Sequence, residues 1–404
     1  MTDFHTTDLA PAPNAPGGEA AASLASPAAA AAAAAQLAPR LLSQAAATDV
    51  AGGFPTLEMQ WLREAGLLAA PLPVSQGGAG LGESAHTLAL LQTLYHLGRG
   101  NLAVGRLWEG HCNALLLVRR FGTPAQQVRA AADARAGHLF GVWNTENPAE
   151  GVRLEPLPIV SRYQLRGAKT FASGAGQVSR ALLTAALPNK KGWQMLLLPA
   201  DQQAPTLDRS FWRPLGMRAT ASFRAQVEGL QISHQDLIGQ ANDYYQQPWF
   251  GGGAVRFAAV QLGGAAAVLD ETRRFLRRQH RTDDPYQRQR LGELLLLHEA
   301  GQRWLHGAAE HAALPAGATP VDPARQAVVG AYANLMRTAT EEICLTTMRQ
   351  AERCVGARGL LQPEPFERLH RDLTHYLRQP APDAALADAG RFALTSDKPA
   401  YQLF

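Results

Sequence analysis

Two short stretches break an otherwise helical pattern and divide the chain in three. They are Gly141-Val142-Trp143-Asn144-Thr145-Glu146-Asn147-Pro148 and Gly167-Ala168-Lys169-Thr170-Phe171-Ala172-Ser173-Gly174. The first is an apolar run that closes on an amide, a hydroxyl and a carboxylate. The second opens on a glycine turn, continues as a strand bearing an aromatic ring, and ends on a hydroxyl and another glycine. Strand ends of this kind can set backbone N–H groups, a hydroxyl and a ring against a flat heteroaromatic group.

Ahead of these stretches the apolar spacing is helical. The alanine tract from Ala28 runs into Leu37, Leu41 and Leu42, which predicts a first helix to about Ala47. Residues 1–27 carry few large apolar groups and read as a disordered tail. Helices follow over Phe54 to Gly66, Ser84 to Leu97, Ala103 to Phe121 and Pro124 to Ala136. The glycine-rich segment between Pro71 and Gly82 reads as a structural loop, since no phosphate-binding motif completes it.

From His138 the signal is that of strands. Ala181 to Leu187 and Trp193 to Leu198 are buried-strand candidates around a turn at Pro188 to Gly192. Further strands are expected at Ser222 to Val227 and near Leu230 to Ile232. Helical periodicity returns at Val255 to Gln279, where Gly263, Gly264 and Ala265 permit close helix contact. It continues over Leu291 to His311, Pro323 to Val355 and Phe366 to Leu377, with Pro315 and Pro320 marking a connection. This predicts an α+β chain of three parts: an N-terminal helical domain over 28–137, a central small barrel or sandwich over 138–240, and a C-terminal helical bundle over 241–404.

Composition narrows the function classes. The formal net charge is +4, and its basic residues alternate with acidic ones, as beside Asp270 and Glu271, so a nucleic-acid stripe is disfavoured. Cys112, Cys344 and Cys354 form no CxxC pair and no ligand cluster, which argues against zinc or a disulfide framework and for a reducing, cytoplasmic setting. No uninterrupted apolar run reaches the length of a bilayer crossing, and the start of the chain lacks the pattern of a signal peptide.

The ordered motifs resemble those of the acyl-CoA dehydrogenase family. Thr145-Glu146-Asn147 is similar to its Thr-Glu-Pro, and Gly167-Ala168-Lys169-Thr170-Phe171-Ala172-Ser173 to its Gly-x-Lys-x-Trp-Ile-Thr. Leu215-Gly216-Met217-Arg218, Leu237-Ile238-Gly239, Gly356-Ala357-Arg358-Gly359 and Arg371-Asp372 follow in the family's order. The resemblance implies a central β-barrel between helical domains, a four-helix C-terminal bundle, and FAD between barrel and bundle. Thr145 and Ser173 would then hydrogen-bond the flavin, and Trp143 and Phe171 would flank it. From a partner subunit, Arg281 would meet the pyrophosphate, and Arg353, Gly356 and Gly359 the adenosine end, in a homodimer or homotetramer. Arg256 would be a substrate contact.

The chain departs from that family where the chemistry is done. The family removes an acidic proton with a carboxylate, which needs a base in a dry site. The usual Glu position falls at Pro380, and the alternative one at Val255. Asp383 remains as a candidate base, or else as a helix cap after Pro382. Ala149-Glu150-Gly151-Val152 replaces the substrate-side Gly-Ser-Asp. The expectation is therefore FAD-dependent oxidation of an acyl thioester or related small substrate, passing electrons to an acceptor protein or oxygen. A flavin monooxygenase of the same fold, or a non-catalytic oligomeric assembly member, is the alternative.

Overall fold

The computed structural model describes residues 24–159, 161–188, 191–313 and 321–404. Most of the expected tail, the connection at Pro315 and Pro320, and part of the turn at Pro188 to Gly192 lie outside the described residues.

Helices α1 (Pro27–Gln44), α2 (Thr56–Glu64), α3 (Thr87–Gly100), α4 (Leu102–Phe121) and α5 (Pro124–Arg135) form the N-terminal part. The Ser26 hydroxyl caps α1, and Ala30, Ala34, Ala38 and Leu41 form its buried face. Small side chains there let α1 lie close on α3.

Among the described residues the central part holds ten strands: β1 (Phe140–Trp143), β2 (Arg153–Pro156), β3 (Arg162–Arg166), β4 (Ala168–Ala172), β5 (Arg180–Ala186), β6 (Trp193–Pro199), β7 (Thr206–Asp208), β8 (Phe223–Gln226), β9 (Gln231–Ser233) and β10 (Leu237–Ile238). The expected barrel is built as two sheets. One has the order β10-β6-β5-β2-β3-β9 with β1 parallel to β5, and the other the order β4-β8-β7. β5 and β6 are buried almost throughout, which is why they read as continuous apolar runs.

Helices α6 (Trp249–Arg278), α7 (Pro285–His311), α8 (Pro323–Gly359), α9 (Pro365–Tyr376) and α10 (Pro382–Leu394) complete the chain. α6 is its axis and packs on α3, α8 and α9. It is apolar and long enough to cross a membrane, contrary to the reading of apolar runs. However, 78% of its apolar window is buried inside the fold, as befits a core helix. Its partner at the small residues is α3. A Cβ on Gly98 would lie 2.2 Å from the Val260 carbonyl oxygen, and one on Gly263 would lie 2.0 Å from that of Tyr95.

One clasp joins all three parts. The Arg371 guanidinium on α9 meets Asp49, which follows α1, at 2.5 Å, and donates to the Leu215 carbonyl at 3.1 Å. Asp372 accepts the Met217 N–H at 2.6 Å. Gly216 lies so close that a Cβ there would sit 2.0 Å from the Arg371 carbonyl oxygen. Two motifs far apart in sequence, Leu215-Gly216-Met217-Arg218 and Arg371-Asp372, are thus the two halves of one joint.

A buried histidine ties α4 to the sheet. His111 Nδ1 accepts the Phe140 N–H at 3.1 Å, so Nε2 carries the proton and donates to the Leu68 carbonyl at 2.7 Å. Burial pulls its pKa down to about 4. The unfolded chain therefore binds the extra proton first as pH falls. Stability from this neutral imidazole is complete above pH 6.5 and declines towards pH 4, by roughly 3 kcal/mol at one pKa unit per 1.4 kcal/mol. Urea unfolding across that window should show the decline, and His111→Gln should flatten it. An unchanged slope in the variant would remove His111 from this role.

Candidate functional site

The sequence places Lys169 at the start of β4, and the fold buries it completely. Its ammonium donates to Glu146 Oε2 at 2.5 Å, Thr184 Oγ1 at 3.1 Å and the Asn144 carbonyl at 3.2 Å, so all three protons are placed. Burial pulls the Lys169 pKa down, while Glu146 opposes that shift. Glu146 also accepts the Val152 N–H, and Thr184 donates to Asn144 Oδ1 at 2.6 Å. This network holds the end of β1 against β4. Thr145 stands exposed between them, its carbonyl taking the Thr170 N–H at 2.8 Å.

Beyond Lys169 the register of β4 shifts, and Phe171 takes a left-handed conformation with φ 51°. The bulge turns its ring outward, and Phe171 is 49% exposed. The ring meets Phe211 edge-on at 5.2 Å and Trp212 at 6.1 Å, and Trp212 meets His375 of α9 at 5.5 Å. Alongside runs a chain of hydroxyls. Ser173 lies 2.9 Å from Ser222, Ser222 lies 2.8 Å from Thr220, and Thr220 donates to the Met217 carbonyl. His375 is half-buried, and burial lowers its pKa, which leaves a neutral imidazole at ordinary pH.

The adjoining wall is made by α4, α6 and α9. Arg106 donates to Glu109 at 2.5 Å, Asn113 donates to the same carboxylate, and Arg256 donates through Nε to Asn113. Among the described residues the Tyr376 hydroxyl, buried next to them, has no hydrogen-bond partner. Val255 is buried and apolar.

Several expected residues meet here and others do not. Thr145, Phe171 and Ser173 lie on neighbouring strand ends. Trp143 is a correction: it is 1% exposed, and its indole N–H donates to the Ser173 carbonyl at 3.0 Å, so it offers no face to a ligand. It is a core ring that fixes the backbone of Ser173. Asp383 is another correction. It is exposed in the first turn of α10, where a carboxylate suits the helix dipole, and is not the cap; Ala381 is. It lacks the enclosure a base requires.

Arg281, Arg353, Gly356 and Gly359 gather elsewhere. Arg281 donates to the Cys354 carbonyl at 3.4 Å and meets Asp284 at 3.3 Å, Arg353 is exposed, and Gly356 interrupts α8 with φ 60°. This group sits at the end of α6 that carries Arg278, whereas Gln261 of α6 holds the Tyr376 carbonyl beside the aromatic corner. Those two positions are 17 residues apart, about 26 Å along a helix. Sequence reasoning missed His375, Trp212, Ser222 and the α4 stripe. His375 stands four residues after Arg371, hence on the same helix face, and Arg106, Glu109 and Asn113 share one face of an apolar helix. Both spacings were legible signals.

The surface so built, an exposed ring, hydroxyls at strand ends, a neutral imidazole and an orphaned buried hydroxyl, fits a planar heteroaromatic group bound next to a polar-lined space. Residues 26–137 match the family described as Acyl-CoA dehydrogenase, N-terminal domain, and residues 255–377 match Acyl-CoA dehydrogenase, C-terminal domain. The putative acyl-CoA dehydrogenase YdbM of Bacillus subtilis is 24% identical, covering 87% of this chain and 92% of its own. The probable FMNH2-dependent monooxygenase SfnC of Pseudomonas putida is 27% identical, covering 90% and 94%. The crystal structure of FMN-bound TdsC from Paenibacillus sp. A11-2 superposes with a TM-score of 0.82 at 21% identity, over 92% of this chain and 98% of that one.

Lys169→Met should cost about 3–5 kcal/mol, since it strands the Glu146 carboxylate. Combining it with Glu146→Gln should cost less than the single change. Denaturant titration of the three proteins checks this, and simple additivity would rule out the coupling.

Proposed function

Since the chain belongs to the acyl-CoA dehydrogenase superfamily, we propose that it works as a flavin-dependent monooxygenase of that fold and not as an acyl-CoA dehydrogenase. The observation that carries this reading is the chemistry of the corner around Phe171. Acyl-CoA dehydrogenation, as that family performs it, removes the α-proton with a carboxylate held in a dry site. The wall supplies a neutral His375 and an apolar Val255, while Glu109 already accepts from Arg106 and Asn113. Asp383 faces solvent.

FMN is the proposed working flavin in place of FAD. The likeness to the probable FMNH2-dependent monooxygenase SfnC and to FMN-bound TdsC supports it, as does the distance of the Arg281 group from the aromatic corner. Bound reduced flavin would supply two electrons to dioxygen, so that one oxygen atom enters the substrate and the other leaves as water. Thr145 and Ser173 would hold the ring's polar edge, and Phe171, Phe211 and Trp212 would keep water from it. His375, steadied against the Trp212 edge, would give and take a proton at its free ring nitrogen. The face carrying Arg281, Arg353, Gly356 and Gly359 would meet a second copy in a dimer or tetramer.

The test supplies FMN, reduced enzymatically, and follows oxygen uptake by the protein. Oxygen should be consumed by the reduced complex, while a straight-chain acyl-CoA added without oxygen should leave oxidised bound flavin unbleached. Anaerobic bleaching by the acyl-CoA would overturn the reading in favour of dehydrogenation. His375→Ala should slow oxygen-dependent turnover by roughly 10²-fold or more. It should also abolish an acid limb of the wild-type profile, in which activity falls as pH drops below 6.5 and His375 takes up its proton.

A further inference from the structure

A cavity of about 80 Å³ opens between α3, the C-terminal half of α4 and the start of α6. Leu90, Leu91, Leu116 and Val255 give it an apolar wall, and Arg119, Arg120 and Arg256 also line it. Two of these arginines are engaged by neighbouring side chains. Arg119 faces Glu83 at 4.0 Å, and Arg120 stacks on the Trp249 ring at 4.0 Å.

Arg256 differs from both. Its Nε donates to the amide oxygen of Asn113, which leaves the protons of its two Nη groups to be placed. Among the described residues neither Nη has a hydrogen-bond partner, and no carboxylate lies within ion-pair distance. The one carboxylate whose charge reaches it is Glu109, and that charge is not its own. Glu109 is shared between Arg106 and Asn113. Burial pushes the Cys112 thiol up to about 12 and raises Tyr244 as well, so both stay neutral. Along the relay Arg256–Asn113–Glu109–Arg106, two guanidiniums therefore share one carboxylate. A part-buried guanidinium whose one hydrogen bond is to an amide carries a desolvation cost that an anion would offset. Its fork geometry matches an oxyanion with two coplanar oxygens.

We propose that this cavity takes a small organic acid, a sulfinate, sulfonate or carboxylate with a compact apolar body, whose acid group bridges the two Nη groups of Arg256. The apolar body lies on Leu90, Leu91 and Val255. Glu83 also lines the cavity and offsets Arg119, but three arginines against one carboxylate leave a net positive field that favours entry of an anion. The assignment rests on the monooxygenase reading only in making this acid the substrate; the binding site itself does not require it.

The test is calorimetric titration of butane-1-sulfonate into the full chain, with butyl methyl sulfone as its neutral counterpart and FMN titrated into the same preparation. The sulfonate should bind and the sulfone should not. Arg256→Met should weaken sulfonate binding about 30-fold or more, as loss of a bidentate charge-assisted contact does. Arg256→Lys should recover only part of it. Equal binding of sulfone and sulfonate, or full sulfonate affinity in the Met variant, would overturn the acid site. If the variant fails to fold, the wild-type contrast between sulfonate and sulfone decides alone. Failure of FMN to bind while the sulfonate still binds would remove the monooxygenase reading and leave the acid site standing.

Discussion

Arg371 is the point on which the geometry of the whole molecule turns. Its guanidinium reaches Asp49 from the N-terminal helices and the Leu215 carbonyl from the central part, while its own helix belongs to the C-terminal part. Asp372 adds the Met217 N–H from the opposite side of the same loop. The pair converts three packing arrangements into one fixed relation. Burial raises the Asp372 pKa, and Arg368 at 3.3 Å works against that shift. What it positions is the loop carrying Phe211, Trp212 and Ser222, against the helix that carries His375. Without that loop the exposed face of Phe171 would have nothing to form a corner with.

A second constraint acts inside the central part. Lys169 is the largest polar side chain to be wholly enclosed, and it is enclosed by design of its neighbours: a carboxylate, a hydroxyl and a carbonyl, one for each proton. Such an arrangement has a single productive geometry, because any shift of β4 leaves a charge without its partner. The bulge at Phe171 follows immediately after this anchor. The rigidity of one residue thus sets the outward aim of the next but one.

Much of this was legible in the sequence, for identifiable reasons. Helical spacing gave α1 to α9 because each helix hides one face, and continuous apolar runs gave β5 and β6 because both faces of those strands are covered. The short strands β2 and β7 left no trace, since Arg153–Pro156 and Thr206–Asp208 hold few apolar residues and are strands only by virtue of the edges they pair with. Motif order pointed to Thr145, Phe171 and Ser173. It misplaced Trp143, because an aromatic residue at a strand end looks alike whichever face it presents. Asp383 was drawn in by its nearness in sequence to a position that the Pro380–Pro382 segment carries to the surface. His375 and Arg256 acquire their meaning from Trp212 and Asn113, residues on other elements, and pairings across such separations are set by the fold and not by spacing.

The crossing of α3 and α6 bears on how such chains can be recombined. Gly98 and Gly263 bring two backbones into contact where no side chain can stand between them. The helical segments at the two ends of the chain are therefore cut to fit each other, like a mortise and its tenon, although a whole β region separates them in sequence. A graft that exchanged the first segment for that of a relative would inherit a foreign surface at this seam, and any residue larger than glycine there would wedge the helices apart. The boundaries that look natural along the chain are not the lines along which the molecule can be taken to pieces.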